Sequence, residues 1–103
     1  MLDAMDAAER VVRNLTVETF VETDAEFAAL CYYILIVSEA SRHIADDRRA
    51  SFPAIPWRDI ADTGNFVRHV YFRVNRERVW NIYDVHFPRL RPVVEKMIAE
   101  FAD

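Results

Sequence analysis

One glycine, one cysteine and four prolines occur in 103 residues, and each scarcity closes off a class of protein. A single Gly and few Pro leave little turn material for an all-β fold, which needs many tight turns. The same scarcity leaves no Gly-rich loop to cradle a phosphate. A lone cysteine, Cys31, cannot make an internal disulfide and rules out a Cys-rich zinc module, so a reducing cytoplasm is expected. His43, His69 and His86 fall on three different expected helices, without the spacing of a metal site. Ser38, Ser41 and Ser51 have no partner spacing that would mark a nucleophile. The longest apolar run, residues 27–37, has eleven residues. A bilayer span needs roughly twenty, so the run reads as a buried helix segment and no membrane association is expected. Residues 1–10 are acidic and alternating, unlike a secretory signal.

What is present is a 52% hydrophobic chain of a length that suits one domain, residues 1–103, with one modest core. Its net charge is −4, unevenly spread. Residues 1–30 carry seven acidic side chains against two basic ones, whereas residues 64–82 carry Arg68, Arg73, Arg76 and Arg78 against Glu77. All basic residues but Lys96 are Arg, whose fork matches phosphate and carboxylate geometry better than an ammonium does. The cluster suits a phosphate backbone, an acidic partner surface, or an ion-paired, solvated helix face.

Apolar spacing of three and four predicts a first helix over residues 2–14, through Leu2, Met5, Ala8, Val11, Val12 and Leu15. Residues 16–22 read as a connector with room for one short turn. Thr23 and Glu26 are spaced as a capping box, opening a long second helix over residues 23–49 that is apolar nearly all round in its middle. Such a helix is central, or covered by a second subunit. Pro53 and Pro56 break the chain, and Pro56 suits the first turn of a third helix over residues 57–70. Asn75 is an expected N-cap, and Pro88 and Pro92 predict a kink or a fresh start in the last helical stretch. The expected architecture is all-α, an antiparallel bundle of four to five helices.

Within this frame Cys31 is read as core. Glu39 interrupts an apolar helix three and four residues before Arg42 and His43, so it has partners on its own face; the group serves structural pairing or a contact with the third helix. Gly64 continues a stripe with Ile60, Val67 and Tyr71, where a missing side chain lets another helix come close.

The order and spacing of several short pieces then become specific. They are Pro56, Trp57, Arg58, Asp59 and Ile60; Asn65, His69, Tyr71, Phe72 and Val74; Val79 and Trp80; and the run from Phe87 to Val93, with Ser38, Glu39, Ala40, Ser41 and Arg42 upstream. Together they resemble the HepT-like branch of the HEPN superfamily over essentially the whole chain. The resemblance implies a two-fold symmetric dimer, the toxin half of a toxin–antitoxin pair, partnered by a small MNT-type nucleotidyltransferase. It implies RNA cleavage without a metal or other cofactor, by an Arg and a His with four to six residues between them, followed by x-Tyr. The His would move protons to and from the ribose 2′-OH and the leaving oxygen, and the Arg would hold the charge developing on phosphorus.

Carried over by position, His69 matches the motif His, Tyr71 the tyrosine that the partner modifies with nucleotide, and Asn65 the residue after the motif Arg. Gly64 stands where that Arg is expected. Losing one such donor commonly costs roughly 10²–10³ in rate, so Arg68 or Arg73 would have to replace it. Two further readings stay open: a catalytically weakened dimer that serves as a partner- or nucleotide-binding module, and a helical dimer with no chemistry. If Gly64 occupies the motif position, Gly64→Arg is expected to raise cleavage.

Overall fold

The computed structural model describes residues 1–69 and 75–102, with residues 66–69, 101 and 102 described as backbone alone. Helix α1 (Leu2–Val12) buries Ala4, Met5, Ala8 and Val12, the stripe its spacing demands. It ends two residues short of expectation, the Leu15 N–H closing on Val12 O at 2.9 Å. A single turn, α2 (Val17–Phe20), occupies the connector and carries Phe20 fully into the core. There the Phe20 ring meets Trp80 at 5.1 Å and Phe27 at 6.1 Å.

The capping box lies here and not at Thr23. Thr16 Oγ1 accepts from the Thr19 N–H, and Thr19 Oγ1 accepts from the Thr16 N–H at 2.9 Å. Thr23 precedes α3 (Asp24–Arg42) without a side-chain cap bond. Its hydroxyl instead donates backward to Phe20 O at 3.0 Å and Thr19 O at 3.3 Å, drawn by the open carbonyls at the end of α2.

The second helix does not run on to residue 49. Helix α3 stops at Arg42, where His43 and Ile44 donate to Ala40 O and Ser41 O and Ala45 turns extended. A separate short helix, α4 (Asp46–Ala50), follows, with Asp46 and Asp47 in its first turn and Arg48 and Arg49 in its last. That charge order complements the helix dipole at both ends and favours a new start over a continuation.

Helix α5 (Trp57–His69) begins one residue after Pro56, whose carbonyl accepts the Ile60 N–H at 3.0 Å. Helix α6 (Arg76–Asn81) is capped as expected by the Asn75 side chain, which accepts from the Arg78 N–H at 3.1 Å. It passes without a non-helical residue into a π-helical turn, Ile82–His86, and then α7 (Phe87–Ala102). The interruption expected at the prolines is therefore this wider turn, closed by the Phe87 N–H on Ile82 O. Pro88 has no N–H for its own turn, and its ring would crowd the carbonyl four residues back in a regular α-helix.

The turn has a packing consequence. In an unbroken α-helix Val79, Ile82, His86 and Leu90 would share one stripe, with Phe87 about 80° away from Val79. The extra residue in the π turn restores register, so Phe87 joins Val79, Ile82, Leu90 and Val94 in the core and His86 moves to its flank. The fold is all-α among the described residues, four long helical rods around one core, with α3 at the centre and α1 and α5 as its main neighbours. None of the described helices is long and apolar enough to cross a membrane.

Candidate nuclease site on helix α5

Helix α5 carries the expected site, and three tethers fix it. At its start the Trp57 indole N–H lies 3.0 Å from Arg49 O and 3.2 Å from Phe52 O, binding the helix to the end of α4. Along its length it packs on α3, with Ala61 and Gly64 beside Arg42 and Ser38, so the two helices run antiparallel. The buried Ser38 hydroxyl donates to Ala61 O at 2.8 Å and accepts from the Gly64 N–H at 3.1 Å. The Arg42 guanidinium donates to the same carbonyl at 2.9 Å. Sequence spacing offered Arg42 as a partner for Glu39 on its own helix; its bond to Ala61 O on α5 was not among the expectations. Ser38 carried no expected role, since a serine hydroxyl bridging two helices leaves no spacing signal.

Gly64 is the point of closest approach. A Cβ built there would lie 2.4 Å from Ser38 Oγ, 2.9 Å from Ser38 Cβ and 3.4 Å from Leu35 Cδ1. Position 64 therefore faces α3 with no space for a side chain, as the close-packing reading expects. Position 69 lies about 140° further around the helix at 100° per residue, away from that contact. An Arg at 64 would have to push α5 off α3, so Gly64→Arg is expected to weaken the fold and not to raise cleavage.

The other expected residues are placed as follows. Asn65 is half-buried on α5. Arg68 and His69 lie in the last turn of α5, where the backbone alone is described. Tyr71 and Arg73 lie outside the described residues. Of the basic cluster, Arg76 is absorbed by the fold. It pairs with Asp24 at 2.9 Å, donates to Val21 O at 3.3 Å and stacks 4.3 Å over the Phe27 ring. It is the solvated-pair reading of the charge run that holds for this residue.

Cys31 is buried in α3, and burial pushes its thiol up to about 11, a trend that Arg76 only partly opposes. A thiol so placed stays protonated at neutral pH and is no nucleophile. Tyr83 is also raised, by burial first and then by Glu9 and Asp84.

The all-α bundle with His69 in the last turn of α5 is the setting in which the comparisons with known proteins are read. The Ribonuclease HepT-like family model matches residues 1–97, and the chain belongs to that family. A protein of Methanocaldococcus jannaschii with a provisional RNase name is 26% identical over 92% of this chain and 90% of its own length. A second from the same organism, named in the same way, is 27% identical over 97% of this chain and 83% of its own. A protein of Thermococcus cleftensis, provisionally named ribonuclease HepT, is 28% identical over 92% and 86%. No solved structure matches the chain.

Proposed function

We propose that this protein is a metal-independent endoribonuclease of the toxin type. His69 acts as the acid/base, Arg68 or Arg73 supplies the cation that position 64 lacks, and Asn65 lies one residue beyond that position on the same helix. The ribose 2′-OH attacks the adjoining phosphorus as His69 takes its proton, the 5′-oxygen leaves with a proton returned by imidazole, and the products end in a 2′,3′-cyclic phosphate and a 5′-hydroxyl. The guanidinium stabilises the charge that builds on the phosphoryl oxygens. Tyr71 is the residue a partner MNT-type nucleotidyltransferase would modify to silence the activity, and the working form is a homodimer.

The observation that carries this reading is the family match, which runs through residue 97 and so includes His69 and Tyr71. Support for the dimer comes from α3, where Tyr32 is 59% exposed in the apolar middle of the helix. Incubating purified protein with single-stranded RNA and with its all-deoxy analogue in EDTA tests the chemistry. Cleavage of RNA alone, lost in His69→Ala, is the expected result; equal cleavage by both proteins overturns it.

One observation favours the second reading, a weakened dimer that binds a partner or nucleotide. The motif position is filled by α3 packing around Gly64, with no room for a guanidinium. In that case RNA or nucleotide is bound and left intact, and His69→Ala changes nothing.

A further inference from the structure

A cavity of about 430 Å³ opens between α5, α3 and the α6–π–α7 rod. Its floor is apolar, with Ile60 and Phe87 among the buried residues that form it. Its rim is polar, with Asp59 and Asp62 on one side and Arg78, Asn81 and His86 on the other. The volume lies within the range of small-molecule sites, as does the combination of an apolar floor with a few convergent polar groups.

Two independent features mark the cavity. First, the π turn places His86 on this rim in place of the core, and π turns inside helices concentrate at functional sites because their geometry is poor. Second, the two rim carboxylates are exposed and one turn apart on α5. The ion pairs formed among the described residues engage Asp6, Asp24, Asp46, Glu95 and Glu100, and neither Asp59 nor Asp62 is among them.

We propose that this cavity receives an unpaired guanine base of single-stranded RNA and gives cleavage a guanine preference. The inference rests on the ribonuclease reading. The two rim carboxylates outnumber the Arg78 guanidinium, so the rim favours a neutral base over a backbone phosphate. Among the four RNA bases only guanine presents two adjacent N–H donors on its Watson–Crick edge, a match for a carboxylate's two oxygens. Adenine and cytosine set a ring acceptor beside the amino group, and uracil flanks its single N–H with carbonyls. Asn81 and His86 offer donors across the cavity for the guanine O6 and N7 acceptors. Unstacked bases in single-stranded RNA are read in this way, on their edges and over an apolar surface.

The placement also connects to the catalytic helix. Position 69 follows Asp62 by seven residues in α5, so the two positions share a face about 10 Å apart along the axis. A base held at Asp62 therefore puts an adjoining stretch of strand alongside the turn that carries His69.

Titrating the full chain with GMP, AMP, CMP and UMP, followed by amide chemical shifts, tests the site. GMP is expected to bind at least about tenfold more tightly than the others, with shifts centred on residues 59–63 and 81–86. Asp59→Ala/Asp62→Ala is expected to lower GMP affinity by about ten- to a hundredfold, the loss of a charge-assisted pair. Both side chains are exposed, so an unchanged circular dichroism spectrum shows that the variant is folded. Equal binding of all four nucleotides, shifts elsewhere, no binding, or GMP binding unaffected by the double substitution overturns the proposal. RNA cleavage by the same proteins separates the two readings. Cleavage without guanine preference removes the pocket and keeps the nuclease; GMP selectivity without cleavage keeps the pocket and removes the nuclease.

Discussion

Gly64 and Ser38 show how one contact can decide between two meanings of a residue. Gly inside a helix is about 1 kcal/mol worse than Ala by propensity alone, yet here the added Cβ would meet Ser38 Oγ at 2.4 Å. Relieving that overlap means moving a hydroxyl that holds both Ala61 O and the Gly64 N–H. Overpacking commonly costs 1–3 kcal/mol, so Gly64→Ala is expected to lower unfolding stability in urea by about that amount despite its better propensity. Combining it with Ser38→Gly should recover part of the loss, as a double-mutant cycle would measure. Cys31 gives a residue-scale prediction in pH. Its thiol is raised from an ordinary 9.0 to about 11 by burial, so between those values the unfolded chain loses the proton first. The stability that burial of the neutral thiol contributes is thus fully present below pH 9.0 and lost as pH rises toward 11. A urea midpoint that falls across this window, and falls less in Cys31→Ala, is the expected outcome.

Among the helices, those with strong periodicity and a chemical start signal were legible in the sequence, and the rest were not. The stripe of α1, the onset of α5 after Pro56 and the Asn75 cap of α6 all follow from side-chain spacing and local hydrogen bonding. The cap predicts that Asn75→Ala costs about 1 kcal/mol in thermal or urea unfolding, since the Arg78 N–H loses its acceptor. The end of α3 was hidden because residues 43–45 contain neither Gly nor Pro, and the charge order of α4 makes itself felt only as a new start. Thr23 looked like a capping residue, but competition from the open carbonyls of α2 redirects its hydroxyl. The π turn leaves no mark except that Phe87 is out of register with Val79 by one residue. At the candidate site, the positions of Asn65, Arg68 and His69 on one helix were legible in the motif. The Arg42–Ala61 bond, the Ser38 bridge and the cavity rim of Asp62 and His86 are meetings of distant segments that no local pattern records.

For the molecule as a whole, α3 is the element on which both the fold and the proposed assembly depend. It packs against α1 and α5 and still leaves Tyr32 exposed. A second copy covering that face predicts a light-scattering mass of twice the 12.1 kDa chain at micromolar concentration, and a monomer there would remove the dimer. The central claim, that α5 carries a metal-independent RNA-cleaving centre, reduces to which ends the products bear. The most direct measurement is the end chemistry of a short single-stranded RNA after incubation with this protein in EDTA, resolved by mass spectrometry. The account predicts 2′,3′-cyclic phosphate and 5′-hydroxyl ends with the native chain and intact RNA with His69→Ala. Intact RNA with both proteins, or the same ends produced by both, would contradict it.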